Sequence, residues 1–126
     1  MNISDAKILL VDDSALARRM TKKILDAFGA KTYLEASDGI EAVRLYKEEH
    51  PDLVLLDIVM PEKDGLAAGD EISAFDPDAN IIYVSSAGTQ SNLEHVLGNG
   101  SRGFIQKPFT SDDLKLLLKY EFDDVE

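Results

Sequence analysis

The chain has 126 residues, a length that suffices for one hydrophobic core and predicts a single domain. Its 24 acidic residues outnumber its 13 lysines and arginines, and the net charge of −11 argues against nonspecific binding to nucleic acid or an anionic membrane, because both need a basic surface. The absence of cysteine excludes disulfides, thiol catalysis and cysteine-ligated metal sites.

The chain begins with a predicted β-α unit. A strand is predicted at residues 7–11, and its apolar run, Ile8 to Val11, stops at Asp12 and Asp13. This run is too short for the core of a signal peptide, and no run reaches the roughly 20 apolar residues of a membrane helix, so we expect a cytoplasmic protein. Ser14 is placed to cap a helix that ends at Gly29. The apolar residues of this helix recur at helical spacing, at Ala17, Met20, Ile24 and Phe28.

The rest of the chain repeats this alternation of strand and helix. Further strands are predicted at 31–36, 53–57, 80–85 and 104–107. Further helices are predicted at 40–49, 66–75 and 91–97, and a last one is capped by Thr110 or Ser111. Serial β-α units predict a parallel sheet with helices on both faces, because parallel neighbours need crossover connections. The tail from Phe122 to Glu126 is expected to fray.

Reactive side chains stand at four of the five strand ends. Asp12 and Asp13 follow the first strand, Asp57 ends the third, Ser85 the fourth and Lys107 the fifth. A single aspartate in such a position would be an ordinary solvated loop residue. The whole set instead favours a reactive site, because ligands of open α/β sheets bind beyond the carboxyl ends of the strands.

The three acids of this set predict a metal site. Two carboxylates about 5 Å apart repel each other by roughly 3 kcal/mol at an effective dielectric constant of about 20. Three ionised carboxylates therefore need a cation or must partly protonate. A hard divalent cation with oxygen ligands, by preference Mg²⁺, satisfies them best.

Four segments carry a resemblance to a known family. The segments LLVDDS (9–14), LLDIVMPEKDG (55–65), IIYVSSA (81–87) and GFIQKPF (103–109) resemble the receiver domains of two-component response regulators, especially the single-domain chemotaxis type. The resemblance implies an α/β fold, a doubly wound five-stranded parallel sheet of order 2-1-3-4-5 with five helices, flavodoxin-like. This order is already known for chemotaxis receivers, so it is not an independent prediction. It also implies one receiver domain over residues 1–126, without an output domain.

The resemblance assigns roles in phosphoryl transfer. Asp57 matches the phosphoacceptor, whose carboxylate would attack the phosphorus of a phosphohistidine donor. Lys107 matches a lysine that contacts the phosphoryl group and is the counter-ion of Asp57 beforehand. Ser85 matches the switch hydroxyl, and Lys107 follows it at the family's usual interval. The Lys107–Pro108 peptide bond is expected to be cis on the same ground.

The resemblance also implies a cofactor and a second switch residue. Mg²⁺ would be held by Asp13, Asp57 and the backbone carbonyl of Val59, with Asp12 acting through water. Phe104 matches an aromatic residue that swings inward on activation, although a core or edge aromatic of the fifth strand fits its position equally well.

The implied partners are proteins. A sensor histidine kinase would donate the phosphoryl group, and a phosphatase or a motor or other output protein would bind afterwards. The chain is expected to be a monomer and no conventional enzyme, catalysing only its own phosphorylation and a slow autodephosphorylation, because Val59 and Ala87 offer no acid or amide to orient water. One basic cluster is either a docking surface for a partner helix or a solvated face: Arg18, Arg19, Lys22 and Lys23.

Two rival functions and two departures from the family stay open at this point. A hydrolase of the dehalogenase type needs a second aspartate two residues after the nucleophile, where this chain has Val59. A pseudo-receiver is a binding module that never takes phosphate. The complete set of acids, hydroxyl and lysine argues against this function. Ser86 replaces a smaller residue of relatives. Gly98 and Gly100 each cost a helix about 1 kcal/mol relative to alanine, so the helix at 91–97 is predicted to be short and fraying.

Overall fold

A computed structural model of the chain describes residues 1–60, 62–85 and 103–125. The helix predicted at 91–97, the departures at Ser86 and at Gly98 and Gly100, and Ala87 lie outside these residues. The strands are β1 (Lys7–Val11), β2 (Thr32–Ala36), β3 (Leu53–Asp57), β4 (Ile81–Ser85) and β5 (Gly103–Gln106). The α-helices of the described residues are α1 (Ala15–Ala27), α2 (Gly39–Glu49), α3 (Gly65–Phe75) and α4 (Ser111–Leu118).

The five strands form one parallel sheet in the order β2-β1-β3-β4-β5, which confirms the predicted fold class. The register brings the strand ends to one edge. Val11 lies level with Leu56, Asp57 with Val84, and Ser85 with Gln106. The residues that end or follow these strands therefore share one edge of the sheet.

The strands divide the hydrophobic core into two clusters, because successive side chains of a strand point to opposite faces of the sheet. Leu10 and Leu55 belong to the cluster that includes Leu25 of α1 and residues of α4. Leu9 and Val54 belong to the cluster that includes residues of α2 and α3. Helices thus cover both faces, as a doubly wound sheet requires.

Side-chain caps fix where the helices begin. Ser14 accepts a hydrogen bond from the backbone N–H of Ala17, as predicted. At α4 the cap is Thr110 rather than Ser111. Its side chain accepts from the Asp113 backbone N–H, and its own backbone N–H donates to Oδ2 of Asp113, which completes a capping box. None of the helices in the described ranges has the length and apolar character of a membrane span.

An apolar residue of α1 is exposed, and the expectation about the C-terminal tail is wrong. Met20 is 59% exposed although it shares the apolar spacing of α1. The described tail residues do not fray, because Phe122 and Val125 are buried, and Asp124 accepts a hydrogen bond from the Ile3 backbone N–H at 2.8 Å. The single domain over 1–126, the monomeric state and the cytoplasmic location stay predictions.

Candidate functional site

Three acids meet at the carboxyl edge of the sheet. Asp12 and Asp57 are buried, with 9% and 6% of their surface exposed, and Asp13 is exposed. One carboxylate oxygen from each of the three lies within 4.8 Å of the others. The order of the strands produces this cluster, because β1 and β3 are neighbours in the sheet although α1, β2 and α2 lie between them in the chain.

Lys107 joins two of these acids. Its Nζ lies 2.7 Å from Oδ2 of Asp12 and 3.0 Å from Oδ2 of Asp57. Burial alone would lower the pKa of Lys107, but the hydrogen bonds to the two carboxylates outweigh it, so the pKa is raised and the side chain stays charged. Sequence reasoning expected the contact with Asp57 and missed the shorter one with Asp12.

Asp57 lies in the least solvated part of the cluster. Burial raises its pKa, the Lys107 hydrogen bond and charge lower it, and the Asp12 charge raises it again, so the net shift is upward. The backbone N–H of Val59 also donates to Oδ1 at 3.4 Å. The protein thus presents a partly desolvated carboxylate with one cation beside it.

Two glycines allow the loop after β3 to fold back beside Asp57. The Gly65 N–H donates to the Ile58 carbonyl at 2.8 Å, and a Cβ at Gly65 would lie 2.0 Å from the Asp57 carbonyl oxygen. The Gly39 N–H donates to the Lys63 carbonyl at 3.0 Å, where a Cβ would lie 2.2 Å from the same oxygen. Gly39 and Gly65 therefore both stand where another backbone segment approaches too closely for a side chain.

The two predicted switch residues occupy neighbouring strands. Ser85 is fully buried at the end of β4, and its carbonyl accepts a hydrogen bond from the Lys107 backbone N–H at 2.7 Å. Phe104 lies on β5 level with Tyr83 and is partly buried against the α2–α3 cluster. The Lys107–Pro108 peptide bond is cis, as expected. The switching roles themselves stay predictions.

The basic cluster of α1 divides into two pairs with different surroundings. Arg18 and Lys22 both contact Glu35 of β2, at 2.9 and 2.7 Å. Arg18 also donates through Nη1 to the Asp12 carbonyl at 2.5 Å. Arg19 and Lys23 are exposed. Sequence reasoning missed these contacts of Arg18 because its partners are Asp12, which follows β1, and Glu35 on β2, and neither belongs to the helical pattern of α1.

The donor set fits a hard divalent cation. Carboxylate oxygens are ligands that Mg²⁺ prefers, and two of the three acids are buried beside the Lys107 ammonium group. Among the described residues, the three acids of the cluster outnumber the one lysine that contacts them. The Val59 side chain is 62% exposed, and the role of its carbonyl stays a prediction.

The sequence matches the response regulator receiver domain family over residues 8–119. A chemotaxis protein CheY from Bacillus subtilis is 46% identical over 106 residues, which are 84% of this chain and 88% of that protein. A chemotaxis protein CheY from Thermotoga maritima is 44% identical over 103 residues, which are 82% of this chain and 86% of that protein.

Solved structures agree with the sequence relatives. A chain of the CheX-CheY-BeF3-Mg complex from Borrelia burgdorferi has a TM-score of 0.87 at 32% identity, and the match covers 91% of this chain and 87% of that one. A second solved structure is the receiver domain of a sensor histidine kinase from Pseudomonas aeruginosa, with a magnesium ion coordinated in its active site cleft. It has a TM-score of 0.81 at 28% identity, and the match covers 92% of this chain and 97% of that one.

Proposed function

Because this chain belongs to the response regulator receiver domain family, we propose that it is a switch activated by phosphorylation of Asp57. The observation that carries the proposal is the Asp57 carboxylate, which is buried at the end of β3, lies 3.0 Å from the Lys107 ammonium and belongs to the three-acid cluster. A structural or solvated aspartate would not need two further acids and a half-buried cation around it.

Phosphoryl transfer would proceed by attack of an Asp57 oxygen on the phosphorus of a phosphohistidine of a sensor histidine kinase. The P–O bond forms as the P–N bond breaks, and the leaving imidazole takes up a proton. Lys107 offers one positive charge to a phosphoryl oxygen, and Asp12 holds its ammonium at 2.7 Å. The chain thereby catalyses a reaction on itself and is no conventional enzyme.

Asp12, Asp13 and Asp57, together with the Val59 carbonyl, would hold Mg²⁺. When bound, the ion supplies positive charge that neutralises phosphoryl oxygens in the transition state. The switch would follow when the Ser85 hydroxyl moves to the phosphoryl group and Phe104 turns inward, which changes the affinity for a partner.

The partners are proposed by class. Relatives named chemotaxis proteins support a motor or other output protein, and a phosphorelay intermediate is the second candidate. A phosphatase is a further expected partner, since the exposed Val59 offers no group to orient an attacking water, and autodephosphorylation would be slow. Purified phosphorylated protein that loses its phosphate quickly with Mg²⁺ present would contradict this.

The exposed side of α1 is our candidate for docking a kinase or phosphatase helix. Leu16 and Met20 are 62% and 59% exposed, and Arg19 and Lys23 add positive charge. A groove beside Met20 reaches Lys107 and Phe109 and so adjoins the acid cluster. Arg18 and Lys22 no longer belong to this surface, because Glu35 binds both.

The decisive experiment is incubation with acetyl phosphate and Mg²⁺, followed by intact-protein mass spectrometry. We expect one phosphoryl group on the wild type and none on Asp57→Asn, which keeps nearly the same shape without a nucleophilic carboxylate. No adduct on the wild type would favour the pseudo-receiver. Rapid turnover of a general phosphate ester would favour the dehalogenase-type hydrolase.

A further inference from the structure

The Arg18 side chain makes a fixed contact beneath the acid cluster. Its Nη1 donates to the Asp12 carbonyl at 2.5 Å, its Nε donates to Oε1 of Glu35 at 2.9 Å, and the side chain is only 16% exposed. It also lines a cavity of about 20 Å³ together with Asp12, Thr21 and Lys107. An arginine held at both ends of its guanidinium is ordered, unlike a solvated surface charge.

The carbonyl that Arg18 binds belongs to the peptide unit that joins Asp12 to Asp13. On the other side of Asp12, its backbone N–H donates to the Ala36 carbonyl at 3.1 Å. The residue that carries the first acid is therefore held on both sides, directly by β2 and through Arg18 by Glu35. The planarity of the peptide unit then restricts the direction in which the Asp13 side chain leaves the backbone.

The charge of Arg18 by itself would oppose a cation bound nearby. Glu35 offsets that charge, and it accepts a second hydrogen bond from Lys22 at 2.7 Å. The pKa of Glu35 is lowered, first by the Lys22 hydrogen bond and then by that of Arg18, so the carboxylate stays ionised. Because Glu35 offsets the charge of Arg18, we expect Arg18 to affect cation binding more through the orientation of the Asp12 carbonyl than through its charge.

We propose that Arg18 is a positioning residue that holds the Asp12–Asp13 peptide unit in the orientation in which both carboxylates face a divalent cation, with Glu35 orienting the guanidinium. This inference rests on the proposed function, because it takes the acid cluster as a cation site. It assigns Arg18 no contact with the cation or with the phosphoryl group.

The sign of one mutational effect separates positioning from simple electrostatics. Removing a positive charge near a cation site strengthens cation binding if only charge matters. Loss of a residue that orients metal ligands weakens it, typically by about tenfold or more. Isothermal titration of metal-free protein with MgCl₂ should therefore give an Arg18→Ala Kd about tenfold above that of the wild type.

Arg19→Ala is the matched control, since it removes the same charge from the next residue of α1, where the side chain is exposed. Its Kd for Mg²⁺ should stay within about twofold of the wild type, because screening weakens exposed charges. Arg18→Lys keeps the charge but cannot bind Glu35 and the Asp12 carbonyl as one planar fork. It should weaken Mg²⁺ binding in the same direction as Arg18→Ala.

A second readout needs no metal. The Ser14 backbone N–H donates to Oδ1 of Asp12 at 2.9 Å, so its amide exchange reports the order of this turn. In metal-free protein the Ser14 amide should exchange faster in Arg18→Ala than in the wild type or Arg19→Ala. Unfolding in urea is measured alongside. If Arg18→Ala does not fold, Arg18→Lys and Glu35→Gln carry both readouts, and each is expected to raise the Kd.

The possible outcomes distinguish failure of the Arg18 positioning role from failure of the proposed phosphorylation switch. Equal or tighter Mg²⁺ binding by Arg18→Ala than by Arg19→Ala, with unchanged Ser14 exchange, would overturn the positioning role alone. A wild type that binds no Mg²⁺ and takes no phosphoryl group from acetyl phosphate would overturn both. Weaker Mg²⁺ binding by Arg18→Ala with faster Ser14 exchange would support it.

Discussion

Replacing Gly65 with alanine should damage the phosphorylation site and the stability together. The new Cβ would lie 2.0 Å from the Asp57 carbonyl oxygen and 2.7 Å from the Ile58 Cα, whereas ordinary contacts begin at 3.4 Å. Both neighbours are backbone atoms, so no flexible side chain can turn away. The start of α3 and the end of β3 must separate by more than about 1 Å.

The energetic cost follows from the contacts that this separation breaks. The hydrogen bond from the Gly65 N–H to the Ile58 carbonyl is worth about 1 kcal/mol, and steric overlap costs about 1–3 kcal/mol. Lower entropy of the unfolded chain returns about 0.4–1 kcal/mol. We expect a net loss of about 2 kcal/mol in the free energy of unfolding, measured with urea.

The functional effect should exceed the loss of folded protein. A displacement of about 1 Å in a reacting group costs up to about 100-fold in rate, so phosphorylation by acetyl phosphate at saturating Mg²⁺ should slow by at least about tenfold. Gly29→Ala is the control, because Gly29 has a φ of 101° and its Cβ would meet only Ile3, at 3.8 Å. This variant should lose about 1 kcal/mol of stability and keep its rate. Equal rates for Gly65→Ala and the wild type would refute the reasoning.

Three further results are expected. Lys107→Ala should lower the stability of metal-free protein by about 1–3 kcal/mol, since Asp57 loses the ammonium group beside it. Mg²⁺ should raise the melting temperature of this variant more than that of the wild type. Equal shifts would argue against a site that Lys107 and Mg²⁺ share. Gly69→Ala should cost about 1–3 kcal/mol in urea unfolding, because its Cβ would lie 1.8 Å from the buried Tyr83 hydroxyl, and Tyr83→Phe should remove part of that cost; additive losses would exclude the clash. The pKa of Glu35 is lowered in the folded protein, so its ion pairs stabilise the fold above the ordinary pKa of 4.5, and this stabilisation is lost as the pH falls through the folded-state pKa. Glu35→Gln should therefore weaken the pH dependence of the free energy of unfolding on the acid side. An unchanged slope would contradict a contribution of the ion pairs.

Local patterns in the sequence predicted the elements of the fold and most of the site. Continuous apolar runs predicted doubly buried strands, and the acids at their ends predicted the cluster, because parallel strands bring their carboxyl ends together. The same local chemistry predicted the cap at Ser14 and narrowed the cap of α4 to Thr110 or Ser111, of which the structure has Thr110.

Contacts that depend on three-dimensional approach could not be predicted in this way. The second partner of Lys107, the contact of Arg18 with the Asp12 carbonyl and the steric need for Gly65 each join elements far apart in sequence. The tail was read as frayed because charges surround Phe122 and Val125 and give no periodic signal. Its burial becomes visible only when the N-terminal turn lies beside it.

The division of the core by the sheet has a consequence for how substitutions combine. Leu9 and Leu10 are neighbours in the chain, yet each packs with a different set of helices, while Leu10 and Leu55 lie side by side in the same cluster. Energetic coupling follows shared contacts rather than sequence distance. Core substitutions on one face of the sheet should therefore change stability independently of those on the other face. The residues that pack on the α1 side and those on the α2–α3 side can then change separately, while the residues at the carboxyl ends of the strands stay the same.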